Sequence, residues 1–432
     1  MNKQLSKRRR RAIFNGSVIN LIEWFDWYAY SSFAIYFSPS FFPDDDFTVQ
    51  LLKSAGVFAL GFLMRPIGGL FFGSMGDRIG RRKSMLISVW LMSFGSLLLA
   101  VAPTYQQIGV WAAVVLIFAR MLQGLSVGGE VGISTAYLTE MATPRTRGFY
   151  SSFQYVTLIG GQILTLGLLI VLQRYFLTDQ QLHDWGWRIP FAIGAVLTLA
   201  TLYLRRGLDE TKAYVSTLLE AGSGSVSKFK QMLKHPRAIM IVVGVTFGGT
   251  IAFYTFTTYM QKYLANTKGI SKSDSTMITF ITLIVYAVMH PLFGALSDRI
   301  GRKALLITFG ILGVTCTIPL SMAIQEASNN IEIVILISIC LAIVSLYSSV
   351  GAVVKAEVFP AEVRAIGVGL PHALTVGIFG GSAEYLALWF KDIGHENGFY
   401  WYVTVAIFVS LGMFIRMTDT LKKNKIDNEP DG

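Results

Sequence analysis

Apolar runs long enough to cross a bilayer recur from one end of the chain to the other. A spanning helix needs about 20 apolar residues at a rise of about 1.5 Å each. Hydropathy read against turn signals predicts twelve of them, over residues 12–37, 50–74, 84–102, 109–138, 149–173, 187–205, 237–262, 275–296, 304–323, 331–354, 365–390 and 398–417. No soluble domain fits between them. The first run carries Glu23 and Asp26 and is followed by no small-residue cleavage motif, so it reads as helix 1 and not as a removable signal peptide. One connection is longer than the rest and contains Gly222, Ser223, Gly224 and Ser225, the composition of a flexible linker. The expected organisation is an all-α membrane protein: a six-helix bundle over residues 1–204, a cytoplasmic linker over 205–236, a second six-helix bundle over 237–418 and a short polar tail over 419–432.

Internal repetition supports that division. The stretch Gly73-Ser-Met-Gly-Asp77-Arg78-Ile-Gly80-Arg81-Arg82-Lys83 returns as Gly294-Ala-Leu-Ser-Asp298-Arg299-Ile-Gly301-Arg302-Lys303. A weaker echo at nearly the same offset pairs Glu140 and Arg147 with Glu357 and Arg364. Parallel six-helix repeats related by an axis along the membrane normal are a known transporter plan, and they put the substrate near the midplane between the halves.

Of the 432 residues, 53% are hydrophobic and 15% charged, against roughly 25% charged in soluble domains. The net charge of +11 raises the question of nucleic acid, but the basic residues are sorted by loop. With the run Lys7 to Arg11 inside, most Lys and Arg fall on inside segments. Lys53, Arg174, Arg188, Lys262, Lys268, Lys272 and Lys391 fall outside, and Arg65 and Arg120 within helices. The positive-inside rule accounts for this with both termini cytoplasmic, and leaves no need for a nucleic-acid role. Cys316 and Cys340 stand in separate apolar runs without His or Cys neighbours at ligand spacing, so neither a disulfide framework nor a metal site is indicated. No cofactor is implied, and a monomer is expected.

The two Asp-Arg-x-Gly-Arg loops resemble the signature of the major facilitator superfamily, and Arg120-Met-Leu-Gln123-Gly124 resembles its second signature. Asn20-Leu-Ile-Glu23-Trp-Phe-Asp26, Gly61-Phe-Leu-Met-Arg65-Pro66-Ile-Gly68-Gly69, Gly128-Gly129-Glu130 and Trp185-Gly-Trp187-Arg188-Ile-Pro190-Phe are similar to its metabolite:proton symporter family. Stretches around Gln154 and Gln162, Tyr254 to Lys262, and Phe379 to Glu384 resemble the 2-oxoglutarate-carrying branch. The resemblance runs from about residue 11 to 417. It implies a major facilitator fold and import of 2-oxoglutarate, a dicarboxylate, with protons. The alternative is another small metabolite of that family: proline or glycine betaine, shikimate or citrate. The long heptad-bearing C-terminal extension of the osmoprotectant members is absent here, which weakens an osmosensing reading.

A charge at the centre of a spanning helix costs about 2.5 to 3.5 kcal/mol on insertion scales, so each one needs a partner or a wet cavity. Asp26 and Arg120 both reach approximately the bilayer middle and are expected to meet, with Glu23 offering a second carboxylate on nearly the same face. One reading makes Asp26 the proton carrier and Arg120 its counter-charge, with substrate carboxylates competing for Arg120 so that proton and substrate binding favour each other. The other is a structural ion pair. Arg65, beside Pro66, either joins Arg120 in holding the two substrate carboxylates, or snorkels or pairs with Glu130 in the cytoplasmic half of the bundle. Gln154, Gln162, Tyr254, Tyr259, Lys262, Tyr347 and His372 are candidate pocket residues or interhelical hydrogen bonders, and His290 reads as a packing histidine. The paired loops and their echo, Asp77, Arg81, Glu140, Arg147, Asp298, Arg302, Glu357 and Arg364, are expected to form a gate that locks the inner faces of the halves. A membrane enzyme lacks a nucleophile with its base or a phosphate-binding loop here, and accumulation against a gradient separates a symporter from a channel or sensor.

Overall fold

The computed structural model describes residues 3–44, 46–79, 81–128, 139, 145–205, 225–421 and 426. The side chains of 3–17, 73, 76–78, 81, 82, 85, 202–205 and 225–228 lie outside that description. Among the described residues there are twelve long helices: α1 (Lys3–Phe41), α2 (Phe47–Ile79), α3 (Arg81–Ala100), α4 (Trp111–Val127), α5 (Arg147–Phe176), α6 (Ile189–Arg205), α7 (Pro236–Asn266), α8 (Lys272–Ile300), α9 (Arg302–Glu326), α10 (Asn330–Glu357), α11 (Ala361–Asp392) and α12 (Glu396–Arg416). Eight are long and apolar enough to cross a membrane by length and composition, and three shorter apolar helices lie within α3, α4 and α6. Most helices run a few residues beyond the predicted apolar windows. Hydropathy marks only the hydrocarbon layer, whereas polar capped turns carry the helices past it. Ser271 accepts from the Asp274 N–H at 3.0 Å to start α8, and Asn329 accepts from the Ile331 N–H at 2.9 Å to start α10. Gly301, at φ 100°, breaks α8 from α9 in a conformation that a side chain would resist.

The polarity of the surface is inverted relative to a soluble protein. On α2, Ile67 and Phe71 are each 53% exposed while Arg65 is 4% exposed. Apolar side chains facing outward and a buried cation facing inward are the arrangement that lipid demands.

Close crossings hold each half together. A Cβ on Gly68 would stand 1.9 Å from the Leu125 carbonyl oxygen, one on Gly124 1.9 Å from that of Gly61, and one on Gly128 1.9 Å from that of Arg65. Helices α2 and α4 therefore touch backbone to backbone along a face of small residues, the packing that replaces hydrophobic driving force inside a bilayer. The crossing brackets Arg65 and Arg120 and fixes where both point. The halves meet mainly where α5 packs on α8 and α2 on α11. Within the expected linker, Ser225–Leu233 is helical and seats Met232 in a small apolar cluster with Val363 and Val368; residues 206–224 lie outside the description. The expected polar tail begins anchored: Asp419 Oδ1 accepts from the Arg302 N–H at 3.2 Å.

Replacing Gly124 by leucine forces a side chain into the Gly61 backbone. We expect a loss of at least about 2 kcal/mol, seen as a lowered melting temperature of purified protein, whereas Gly412→Leu, where a Cβ meets nothing within 4 Å, leaves it unchanged.

Candidate functional site

Between the halves lies a cavity of about 50 Å³, room for about four waters at 10–15 Å³ each. Its walls include Glu23 and Trp24 from α1, Arg65 from α2, Gln154 and Tyr155 from α5, Tyr254 from α7, Lys355 from α10 and His372 from α11. The Arg65 guanidinium lies 4.1 Å from the ring centroids of Trp27 and Phe62 and 4.9 Å from that of Trp24. Its Nε and Nη2 have no hydrogen-bond partner among the described residues. A desolvated cation–π contact is worth about 2 kcal/mol, so the aromatic walls hold the cation without consuming its donors.

Trp27 is shared. The Arg120 guanidinium also lies 4.1 Å from the Trp27 centroid, and 4.6 Å from that of Tyr30. Arg120 is fully buried, does not line the cavity, and donates from Nη1 to Gln123 Oε1 at 2.7 Å. That bond fixes the Gln123 amide, because arginine can only donate. Gln123 Nε2 then donates to Asp26 Oδ2 at 3.0 Å and to Ser96 Oγ at 2.9 Å. Asp26, 0% exposed, also makes a close contact with Ser96 Oγ, and its Oδ1 has no hydrogen-bond partner among the described residues. Helix α6 approaches so closely that a Cβ on Gly194 would stand 2.2 Å from that oxygen.

The hydrogen count here is informative. Ser96 has one hydroxyl hydrogen and two acceptors in reach, Asp26 and the Met92 carbonyl at 3.1 Å. With Asp26 ionised, the hydrogen turns to the carboxylate. With Asp26 protonated, the acid donates to Ser96 and Ser96 donates to Met92. Rotation of one hydroxyl therefore accommodates either protonation state without moving a helix.

Contacts join the halves on both sides of the membrane-spanning region. At the end that carries the repeated basic loops, Asp298 of α8 accepts from the Gly148 and Phe149 N–H groups at the start of α5, at 2.8 and 3.0 Å. Arg302 pairs with Asp298 at 2.9 Å, and Glu357 Oε1 is 3.5 Å from both Arg302 and Arg147. At the opposite end, Lys262 pairs with Glu384 at 2.8 Å and donates to Ser31 of α1 at 2.6 Å. Nearby, Lys272 Nζ stands 2.6 Å from Nε2 of His183, which lies in a short helix (Asp179–Asp184) of the other half.

The family model described as Major Facilitator Superfamily matches residues 17–370 and 250–429. The chain belongs to the major facilitator superfamily. This facilitator is 51% identical over 411 residues to a protein named alpha-ketoglutarate permease from Escherichia coli K12, covering 94% of each chain. It is 34% identical to a protein named citrate-proton symporter from Klebsiella pneumoniae, over 84% of this chain and 81% of that one. Its fold matches the crystal structure of a D-xylose-proton symporter with a TM-score of 0.72 at 21% identity, over 95% of this chain and 98% of that one. It is a multi-pass membrane protein with the twelve-helix architecture of its superfamily.

Several residues of the facilitator lie where their sequence positions suggested, and several do not. Arg65, Glu23, Gln154, Tyr254 and His372 line the cavity. Asp26 and Arg120 come together, but through Gln123 and not in direct contact, because the amide occupies the space between α1 and α4. The Asp26 carboxylate turns toward α3, α4 and α6, so it and Glu23 do not share a hollow, although only three residues separate them. Lys262 is consumed by Glu384 and Ser31, and Tyr259 donates to Glu396 at 3.1 Å; neither lines the cavity. Gln162 donates to the Thr257 carbonyl across the halves at 2.8 Å. Tyr347 packs on Phe309, with ring centroids 5.5 Å apart. His290 is buried between the Tyr286 carbonyl and Ser348 Oγ, each at 2.8 Å. Of the expected gate, Arg147, Asp298, Arg302 and Glu357 form one cross-half cluster, while Arg364 Nε donates to the carbonyls of Ala356 and Phe359. The side chains of Asp77 and Arg81, and residues Glu130 and Glu140, lie outside the described residues. Trp27, Ser96, Gln123, Gly194 and Lys355 were not singled out as site residues by sequence reasoning. Gln123 alone carried a signal, as part of the Arg120 signature.

The His183 contact generates a pH dependence. Its Nδ1 is 2.9 Å from the Tyr36 carbonyl, which only accepts, so Nδ1 holds the hydrogen and Nε2 offers its lone pair to Lys272. Asp179 and Asp184 on its own helix and the Tyr36 ring of α1 complete the surroundings. Partial burial, and then the Lys272 charge, hold this imidazole below its usual range. The closed contact thus binds the proton less well than the open one: its stabilisation is fully present above the usual imidazole range and is lost as pH falls through the lowered one. Spin labels on Gln180 and Ser273 should move apart on acidification in the unsubstituted protein and show no pH response in His183→Ala.

Proposed function

We propose that this chain is a proton-coupled symporter that imports 2-oxoglutarate across the bacterial inner membrane by alternating access, as a monomer with both termini cytoplasmic, and that it is not an enzyme. The observation that carries the mechanism is the shared ring: a cavity cation, Arg65, and the counter-charge of Asp26, Arg120, both pack on Trp27 at 4.1 Å. A substrate carboxylate takes the free donors of Arg65, and a proton occupies Asp26. Each load alone changes the charge of a dry interior, at a cost of about 2.5 to 3.5 kcal/mol per uncompensated charge on insertion scales. 2-Oxoglutarate brings two negative charges, and the proton on Asp26 cancels one of them. The loaded pair therefore favours the conformational change that neither load favours alone, which is the coupling that symport requires.

The identity of 51% with a protein named alpha-ketoglutarate permease supports 2-oxoglutarate as the substrate. A second reading, another small metabolite such as citrate, is supported by the relative named citrate-proton symporter at 34%; shikimate, proline and glycine betaine belong to the same alternative. The proposed inner gate consists of Asp298, Arg302, Glu357 and Arg147, with Asp77, Arg81, Glu140 and Arg364 as their counterparts by internal repeat. Two bundles, residues 1–204 and 237–418, rock about the cavity as the gates alternate.

Purified protein in liposomes with an imposed inward proton gradient should accumulate labelled 2-oxoglutarate, and an uncoupler should collapse the accumulation. Asp26→Asn should bring the accumulation ratio to that of free equilibration while counterflow of labelled for unlabelled substrate continues. Undiminished uphill uptake in that variant would remove Asp26 from the mechanism. Competition by unlabelled citrate, shikimate or betaine stronger than that by 2-oxoglutarate would favour the second reading.

A further inference from the structure

The cavity has a second cation, contributed by the other half of the molecule. Lys355 stands near the end of α10, 3% exposed, and its Nζ is 3.0 Å from Nδ1 of His372 on α11. No carboxylate lies within ion-pair distance of it among the described residues. An ammonium can only donate, so His372 Nδ1 contributes its lone pair and the imidazole is neutral, with its hydrogen on Nε2. Thr246 Oγ1, 3.4 Å from the same Nδ1, borders the pair. A buried cation partnered by a neutral ring retains its full charge and further donors, which is an expensive arrangement in a dry interior unless an anion completes it.

Lys355 therefore differs from Lys262, the other buried lysine among the described residues, whose charge is already met by Glu384 at 2.8 Å. The described cavity wall holds two cations, Arg65 and Lys355, against one carboxylate, Glu23. Arg65 belongs to the N-terminal half and Lys355 to the C-terminal half, so an anion that satisfies both must bridge the halves.

We propose that Lys355, presented by His372, is the anchor for the second substrate carboxylate and is the residue that selects dicarboxylates over monocarboxylates and zwitterions. This rests on the reading of the chain as an organic-acid carrier. Arg65 offers a fork suited to one carboxylate in bidentate fashion; Lys355 supplies a point charge for the other end. A monocarboxylate of the same chain length satisfies Arg65 and leaves Lys355 unmatched across an apolar tail. A betaine does worse, because its quaternary ammonium approaches a second cation.

Calorimetric binding to purified protein tests this without depending on proton coupling. The probes are glutarate, with two carboxylates, and pentanoate, with one carboxylate on the same five-carbon chain. Unsubstituted protein should prefer glutarate. In Lys355→Gln, glutarate binding should weaken by at least about tenfold, as expected for loss of one charge-assisted contact, while pentanoate binding stays within about twofold, so that the preference disappears. Lys355→Arg should keep the preference, and His372→Leu should reduce it while His372→Gln, which retains an acceptor, restores part of it. Retained pentanoate binding in Lys355→Gln reports an intact fold and an intact Arg65 site. A glutarate preference unchanged in Lys355→Gln overturns the assignment. Failure of the unsubstituted chain to accumulate 2-oxoglutarate on a proton gradient would instead count against the symport reading and leave this binding result standing on its own.

Discussion

A positive charge sealed inside hydrocarbon must be met by something, and how each such charge is met determines much of this structure. Lys262 is met by Glu384, and Arg302 by Asp298 and Glu357. Those contacts consume their charges and tie helices together. Arg65 and Lys355 are held but not consumed: one lies against indole and phenyl rings, the other against a neutral imidazole. The difference between a tie and a binding site is thus whether the partner carries the opposite charge.

The helices were largely legible in the sequence, because a chain that must satisfy its backbone inside lipid has little choice but helix, and the required length of apolar residues is easily counted. Arg65, Asp26 and Arg120 were legible for the same reason: a charge in an apolar run is conspicuous. Lys355 escaped because it sits near the end of α10, close to Glu357, where a basic residue is ordinary and resembles a topology signal. Trp27 escaped because an aromatic residue in an apolar helix looks like packing. Its role depends on two cations from α2 and α4 arriving at one ring, which no spacing within α1 reveals.

Hydrophobic periodicity likewise could not tell which way Asp26 turns. Glu23 and Asp26 are about 60° apart around an ideal helix, near enough to suggest a common hollow. The decision was made by neighbours distant in sequence: Ser96 and Gln123 supply donors on one side, and Gly194 leaves room on α6. A glycine whose missing side chain admits a carboxylate from another helix is invisible until the helices are assembled.

The pair of backbone N–H groups at the start of α5 has a further implication. Asp298 caps them from the other half of the molecule, so drawing the halves apart there strips two donors of their acceptor at a helix end. Only incoming water can replace it. Parting and wetting at that mouth are accordingly a single event, and a dry breach, the kind that would let the interior leak without cargo, is disfavoured by the peptide chain itself.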